Sequence, residues 1–361
     1  MVSEFYATPA RRLADGRFGL GPVENLEMEL QRGNSRLIWG WKRDVGTASR
    51  AVYFGGDLEA DGDEVVLSRW YLFYRHRSDA ASITRIASQL AGSEELKPHL
   101  RSFRAKHAPG GQLDLRVELG VPDAADSDRV RRLQLRKPRR RFAEVVMPPV
   151  LPLARATDLF PVDIYVGSGL SYEAGLPTLC DMHLAFGVDN EACTQFAVGD
   201  EDMLPARLAS NLGEAIGSFC AVHVGALKAR PTPAMRAIAE LKSAGLIGKI
   251  FTDNVDNMLT KVGVPFERTR GSGVFNEIYP AEFASGRLIV IGVAADRRSL
   301  VKQARAKGLE IVTVNPCEKV APMVRHLDYI RPTDPFFQVT AQTFFVHAAE
   351  LSLGGRIRAA A

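Results

Sequence analysis

Two short segments hold the residue types and spacings that could do chemistry. The first is Gly167-Ser168-Gly169-Leu170-Ser171, continued by Ala174-Gly175-Leu176-Pro177. It follows Asp163-Ile164-Tyr165-Val166, an apolar run of strand length. Glycines after a strand let a backbone approach a ligand closely, and amides at the start of the next helix attract phosphate. The pattern departs from G-x-G-x-x-G, because Tyr172 occupies the third glycine's place. A simple turn accounts for the glycines as well as a ligand does. The second segment is Thr252-Asp253-Asn254-Val255-Asp256, directly after Ile247 to Phe251. Ligands of open α/β sheets sit beyond the carboxyl ends of strands, which is where Asn254 and Asp256 fall. Capping of the next helix is the competing use of Asp253 or Asn254.

The elements around these segments set where they can point. From Val162 onward, strands and helices alternate. Thr232-Pro233 opens a helix whose face is Met235, Ile238 and Leu241, with Gly245 past its end. Leu288–Val293, a helix through Leu300 and Ala304 to Gly308, and Ile311–Asn315 make a β-α-β unit. This alternation predicts an α/β, doubly wound parallel sheet in the C-terminal half. The first 150 residues read differently. Ser35–Trp41, Ala51–Gly55, Val65–Tyr74 and Leu113–Leu119 are strand-like, with one amphipathic helix from Ser82 to Leu90. They predict a strand-rich α+β domain over 1–150 and contain no motif with a chemical mechanism. Met147 to Pro161 holds four prolines, which places a linker at 151–160 and the second domain at 161–361.

Composition narrows the partners. With 46% hydrophobic and 24% charged residues, the 361-residue chain reads as globular. Its best apolar run, Leu288 to Ala295, is far below the ~20 residues that span a bilayer, so no membrane partner is expected. Cys180, Cys193, Cys220 and Cys317 are scattered with no C-x-x-C, which suits a reducing cytoplasm. No apolar leader is read near the N-terminus, and a cytoplasmic location is expected. Net charge is +4, and residues 129–141 hold eight basic residues in thirteen. Nucleic acid enters the reading only through that tract, whose alternative is a solvated strand face.

Together, the segments resemble the sirtuin (silent information regulator) superfamily. Residues 167–177 match its G-A-G-I-S-x-x-[AS]-G-I-P motif without a gap, with Ser168 for Ala and Leu for both Ile. Residues 252–256 match T-Q-N-I-D, with Asp253 for Gln and Val255 for Ile. Leu288 to Gly292 stands for the third block's strand, with Val293-Ala294 replacing its polar pair, and Asn315 falls where a family Asn contacts adenosine. The resemblance covers about residues 160–350. It implies a Rossmann-like NAD-binding domain, with Gly167, Ser168, Gly169, Ser171, Gly175, Pro177, Gly292 and Asn315 around NAD. It further implies that Asn254 contacts ribose or a nearby water and that Asp256 contacts the nicotinamide amide.

Three departures shape the expected activity. Where sirtuin deacylases carry a catalytic His-Gly, this chain has Arg270-Gly271. Arginine, with a pKa above ~12, cannot act as that base. The two C-x-x-C pairs of the family's zinc module are missing, so no zinc is expected. Leu179-Cys180 replaces the Phe-Arg that ends the first motif. An ordinary lysine deacylase is therefore not expected. The resemblance implies an enzyme cleaving the nicotinamide–ribose bond, by NAD hydrolysis or ADP-ribosyl transfer, with Asn254, Asp256 and Arg270 at the reaction centre. A non-catalytic NAD or ADP-ribose sensor working through the N-terminal domain and a partner protein is one alternative. A biosynthetic enzyme on another nucleotide-like substrate is the other. Arg270 is read either as a ligand for a diphosphate, carboxylate or acceptor, or as a solvated loop residue.

Overall fold

A computed structural model describes residues 9–45, 48–121, 148–177, 203–269, 280–293, 296, 298–316 and 329–357. Within these, 9–121 and 203–228 form one compact unit, and 148–177 and 229–357 form the other.

The chain begins with β1 (Arg11–Arg12), β2 (Phe18–Pro22) and a short α1 (Leu26–Glu29). Three long strands follow, β3 (Arg36–Val45), β4 (Ala48–Asp61) and β5 (Glu64–Asp79). Then come α2 (Ala80–Ala91), β6 (Leu100–Ala108) and β7 (Gln112–Gly120). The seven strands make an antiparallel sheet in the order β1-β2-β5-β4-β3, with β7 pairing β5 and β6 pairing β7. Period-2 alternation buries Leu72, Tyr74, Leu115 and Val117 on one face. The expected helix starts two residues earlier than its periodicity indicates, because Asp79 caps it by accepting the Ser82 N–H at 2.8 Å. Its apolar stripe, Ile83, Ile86 and Leu90, is buried as expected.

After β8 (Val162–Val166) and α3 (Ser168–Tyr172), the chain supplies α4 (Met203–Ser210) and α5 (Leu212–Lys228). The sequence pattern groups both helices with everything after residue 161; their contacts group them with the antiparallel sheet. Phe219 of α5 stacks on Phe54 at 4.6 Å and meets Trp39 edge-on at 5.0 Å. The Gly213 carbonyl accepts the Ala10 N–H at 2.9 Å, and Glu95 accepts the Leu212 N–H at 3.0 Å. Helix α5 is apolar nearly all round, so it needs cover on several sides. His223 lies buried in it, and Cys220 is buried beside it.

The second unit adds α6 (Pro233–Ser243), β9 (Ile247–Thr252), β10 (Glu267–Arg268) and β11 (Arg287–Ile291). It closes with α7 (Leu300–Ala306), β12 (Glu310–Val314), β13 (Phe336–Phe337) and α8 (Ala341–Ile357). Six parallel strands run β10-β9-β8-β11-β12-β13. In order of appearance that is 3-2-1-4-5-6, the doubly wound dinucleotide arrangement, with its switch point between β8 and β11. Thr232 caps α6 by accepting the Met235 N–H, and Met235, Ile238 and Leu241 are fully buried. Each such side chain contributes about 1.5–3 kcal/mol by leaving water. At the opposite end of β8 from the switch point, Asp163 is buried. Its carboxylate accepts N–H groups from Lys249, Ala284 and Ser285 at 2.6, 2.7 and 3.1 Å. The proline-rich stretch is bonded to this sheet, with the Leu151 N–H on the Phe336 carbonyl at 2.7 Å and a 3₁₀ turn over Leu153–Leu159.

Candidate functional site

The carboxyl ends of β8, β9 and β10 frame a small open cleft. Its apolar wall includes Val166, Leu170, Met235, Leu259 and Phe266. Its polar groups are Ser171, Thr252, Asn254, Asp256, Asn257 and Arg268.

Asn254 is held from three directions. Thr252 Oγ1 donates to the Val166 carbonyl at 2.9 Å and accepts the Asn254 N–H at 3.1 Å. Asn254 Nδ2 donates to the Gly167 carbonyl at 3.0 Å and, over a longer 3.4 Å, to Ser171 Oγ. Arg268 Nη1 donates to the Asn254 carbonyl at 3.3 Å, its guanidinium standing 5.7 Å from the Phe266 ring centre. One side chain thus ties the two sequence motifs together.

Asp256 is buried beside it, and Oδ1 accepts the Met258 N–H at 3.0 Å. Burial pushes the Asp256 carboxyl above its ordinary range. The Met258 amide, the Ser171 hydroxyl and the charge of Arg268 oppose that rise without cancelling it.

The glycines have a structural task that the sequence does not display. The Gly167 and Gly169 N–H groups bond the carbonyls of Ile291 and Gly292 at 2.8 and 3.1 Å. A Cβ on Gly169 would lie 2.5 Å from Gly292 Cα, and one on Gly167 would lie 2.3 Å from the Gly292 oxygen. Gly292 itself has φ +58°, and its own Cβ would meet Gly169 Cα at 2.5 Å. Backbone meets backbone across the switch point, so the close approach at Gly167 and Gly169 is to Gly292, whatever a ligand does there.

The remaining expected residues that the structure describes do not line the cleft. Ser168 opens α3, half-buried. Gly175, exposed at φ +85°, and buried Pro177 belong to the turn after α3. Asn315 is buried just past β12, its N–H on the Phe337 carbonyl at 3.1 Å. Arg270 falls outside the described residues, as do Cys180, Cys193, Cys317 and the tract 129–141. Sequence reading did not select Arg268, Asn257 or Phe266 as site residues. The only signal for Arg268 is its place opposite Thr252 in the parallel pairing of β10 with β9. Among the described residues, no group of three or more His, Cys, Asp and Glu side chains could hold a metal. None of their helices is long and apolar enough to cross a membrane.

No family model matches the chain. A curated NAD-dependent protein deacylase of Desulfosudis oleivorans is 30% identical over 100 residues. The chain is similar to the sirtuin (Sir2) family. That match spans 28% of this chain and 35% of the deacylase, so it covers well under half of either protein. Among solved structures, a Sir2 enzyme matches over 56% of this chain and 98% of its own, at 16% identity and a TM-score of 0.35. A Sir2 homolog–NAD complex matches over 59% and 98%, at 15% identity and a TM-score of 0.37. The relationship to sirtuins rests on the sequence match and the two motifs, and these structural scores add no weight to it.

Proposed function

We propose that the second unit binds NAD in this cleft and cleaves its nicotinamide–ribose bond, passing ADP-ribose to water or to an acceptor. The observation that carries the reading is the joining of both sirtuin-like motifs by the Asn254 side chain, next to buried Asp256, at the end of β8. The apolar wall suits a flat aromatic ring, and Asn254, Asp256 and Ser171 supply polar groups for an amide and a sugar. Loss of nicotinamide leaves an oxocarbenium-like ribose, and the departing group is neutral. The chain's task is therefore to orient the ribose and to supply negative potential near the developing charge. Asn254 orients, and Asp256 supplies the potential when it is ionised. In this reading Arg270 holds an anionic part of the ligand or acceptor.

The test is nicotinamide release from NAD by the full chain. Asn254→Ala should lower kcat by about 100-fold, or about 2.7 kcal/mol, with little change in NAD affinity. Equal turnover in the variant removes Asn254 from the reaction. A second reading, an NAD or ADP-ribose sensor, is favoured by one feature: no histidine is among the described residues that line the cleft. A sensor would bind NAD by calorimetry yet release no nicotinamide, and Asn254→Ala would change affinity alone.

A further inference from the structure

One face of the antiparallel sheet breaks a rule of strand pairing. Arg104 on β6, Arg116 on β7 and Arg75 on β5 stand directly opposite one another across three strands. Like charges placed opposite each other destabilise a sheet. The next row along holds Lys106, Asp114 and Arg77, and alternation puts it on the same face. The row before holds Ser102, Glu118 and Phe73. Five cations there meet two carboxylates.

Asp114 organises this array more than it neutralises it. It accepts from Arg75 at 2.9 and 2.7 Å, from Arg116 at 3.2 Å and from Arg77 at 3.4 Å. Burial works to raise the Asp114 carboxyl. Hydrogen bonds and charge from Arg75 and Arg116 outweigh it and hold the group down to about 2. One carboxylate therefore sets three guanidinium groups in fixed positions. Arg104 and Lys106 are exposed and have no ion pair among the described residues.

Two ordinary explanations fall short. Edge strands carry Lys and Arg to prevent edge-to-edge pairing, which accounts for β6. It does not account for Arg116 one strand in, or for Arg75 and Arg77 two strands in. A solvated face would intersperse the signs, and the Arg104–Arg116–Arg75 row does not. What the row lacks is an anion with several charges at short intervals. A nucleic-acid backbone is such an anion, and guanidinium matches its phosphates in geometry. Proteins that hold single strands add exposed aromatic rings for stacking. Here Tyr53, Tyr71 and Phe73, aromatics of this face, are buried at 4%, 7% and 2% exposure. In sequence, the basic tract 129–141 follows soon after β7.

We propose that this face binds the phosphate backbone of a nucleic-acid duplex without reading its sequence. The inference is independent of what the cleft in the second unit does. Fluorescence anisotropy of a labelled mixed-sequence DNA duplex with the full chain tests it, between about 50 and 200 mM salt. The expected plot of log affinity against log salt has a slope of about −4, and a scrambled duplex binds equally well. Arg104→Glu with Lys106→Glu should weaken binding about tenfold or more and flatten the slope by about 2. Arg104→Gln with Lys106→Gln should act in the same direction by less, and serves if the charge reversals do not fold. Arg155→Glu, exposed in the second unit, is the control and should change nothing. The proposal is overturned if wild type fails to bind duplex at low salt. It is also overturned if anionic vesicles bind and duplex does not. A third overturning result is a folded double variant that binds like wild type while alanines in the 129–141 tract abolish binding.

Discussion

In the antiparallel sheet, ionisable side chains stand in the middle of the faces, paired across strands. In the parallel sheet polar and ionisable side chains gather at strand ends, Asp163 near the start of β8 and Asn254 with Asp256 just past the end of β9. The difference follows from how each sheet is covered. Strands of a parallel doubly wound sheet are buried on both faces, so polar chemistry is pushed to the ends where loops open. An antiparallel sheet needs only one buried face, and its strands can carry charge along their length. The first unit therefore offers an area, and the second offers a point.

The contact across the switch point gives the largest expected effect. Gly292→Ala adds a Cβ against the Gly169 backbone at a positive φ, and should cost about 3 kcal/mol or more in a urea melt. Gly245→Ala is the comparison. Its φ is +76°, but its Cβ meets nothing within 4 Å, and about 1 kcal/mol is expected. Similar losses at the two glycines would mean that the strand ends are not in tight contact.

The first unit should be nearly as sensitive at Asp114. Asp114→Asn leaves three arginines beside one uncharged group, and should lower stability by about 3 kcal/mol, as broken buried pairs do. A loss under half a kcal/mol would make the array a loose surface cluster.

A pH titration sharpens the same contrast. His76 is buried, Arg50 Nε donates to its Nε2 at 3.2 Å, and its Nδ1 lies 2.9 Å from the Tyr74 hydroxyl. Burial first, then the Arg50 charge, lowers its pKa from 6.5 to about 4. The folded chain thus binds fewer protons than the unfolded chain between those values. Stability from this site is complete above pH 6.5 and is lost as pH falls toward 4, on the order of 3 kcal/mol. His76→Gln should flatten that part of the stability curve. An unchanged curve would mean that His76 titrates normally.

The smallest effect is expected at Arg268. Arg268→Gln removes a charge that favours ionised Asp256 and one bond to the Asn254 carbonyl, about 1 kcal/mol in stability. If ionised Asp256 assists nicotinamide release, the acid limb of the pH profile should move to higher pH. A profile that stays in place would limit Arg268 to holding the loop.

Much of this was legible before any coordinates. Apolar runs such as Ile247 to Phe251 and Leu288–Val293 located strands of the parallel sheet, because a strand buried on both faces has little other composition open to it. Asn254 and Asp256 could be placed because they follow such a run directly. What sequence hid was partnership. Nothing in α5 says which surface its Phe219 will cover, and that choice separated residues 203–228 from their neighbours in sequence. Gly169 looked ligand-facing because Gly292, the atom group it touches, is far away along the chain. Arg268 was invisible because only the register of β10 against β9 brings it to the cleft.

The Asn254 amide carries one more consequence, concerning the direction in which protons point. The Asn254 Nδ2 donates to protein oxygens, Gly167 O at 3.0 Å and Ser171 Oγ at 3.4 Å, and the Ser171 hydroxyl in turn donates to Asp256. What this side chain has left for a visitor is a carbonyl oxygen. Any group that meets Asn254 must therefore give a hydrogen, as a sugar hydroxyl does and an ether or phosphate oxygen does not. If the cleft holds the ribose proposed above, methylating the hydroxyl that meets Asn254 should weaken binding, whereas removing an ether or phosphate oxygen there should not.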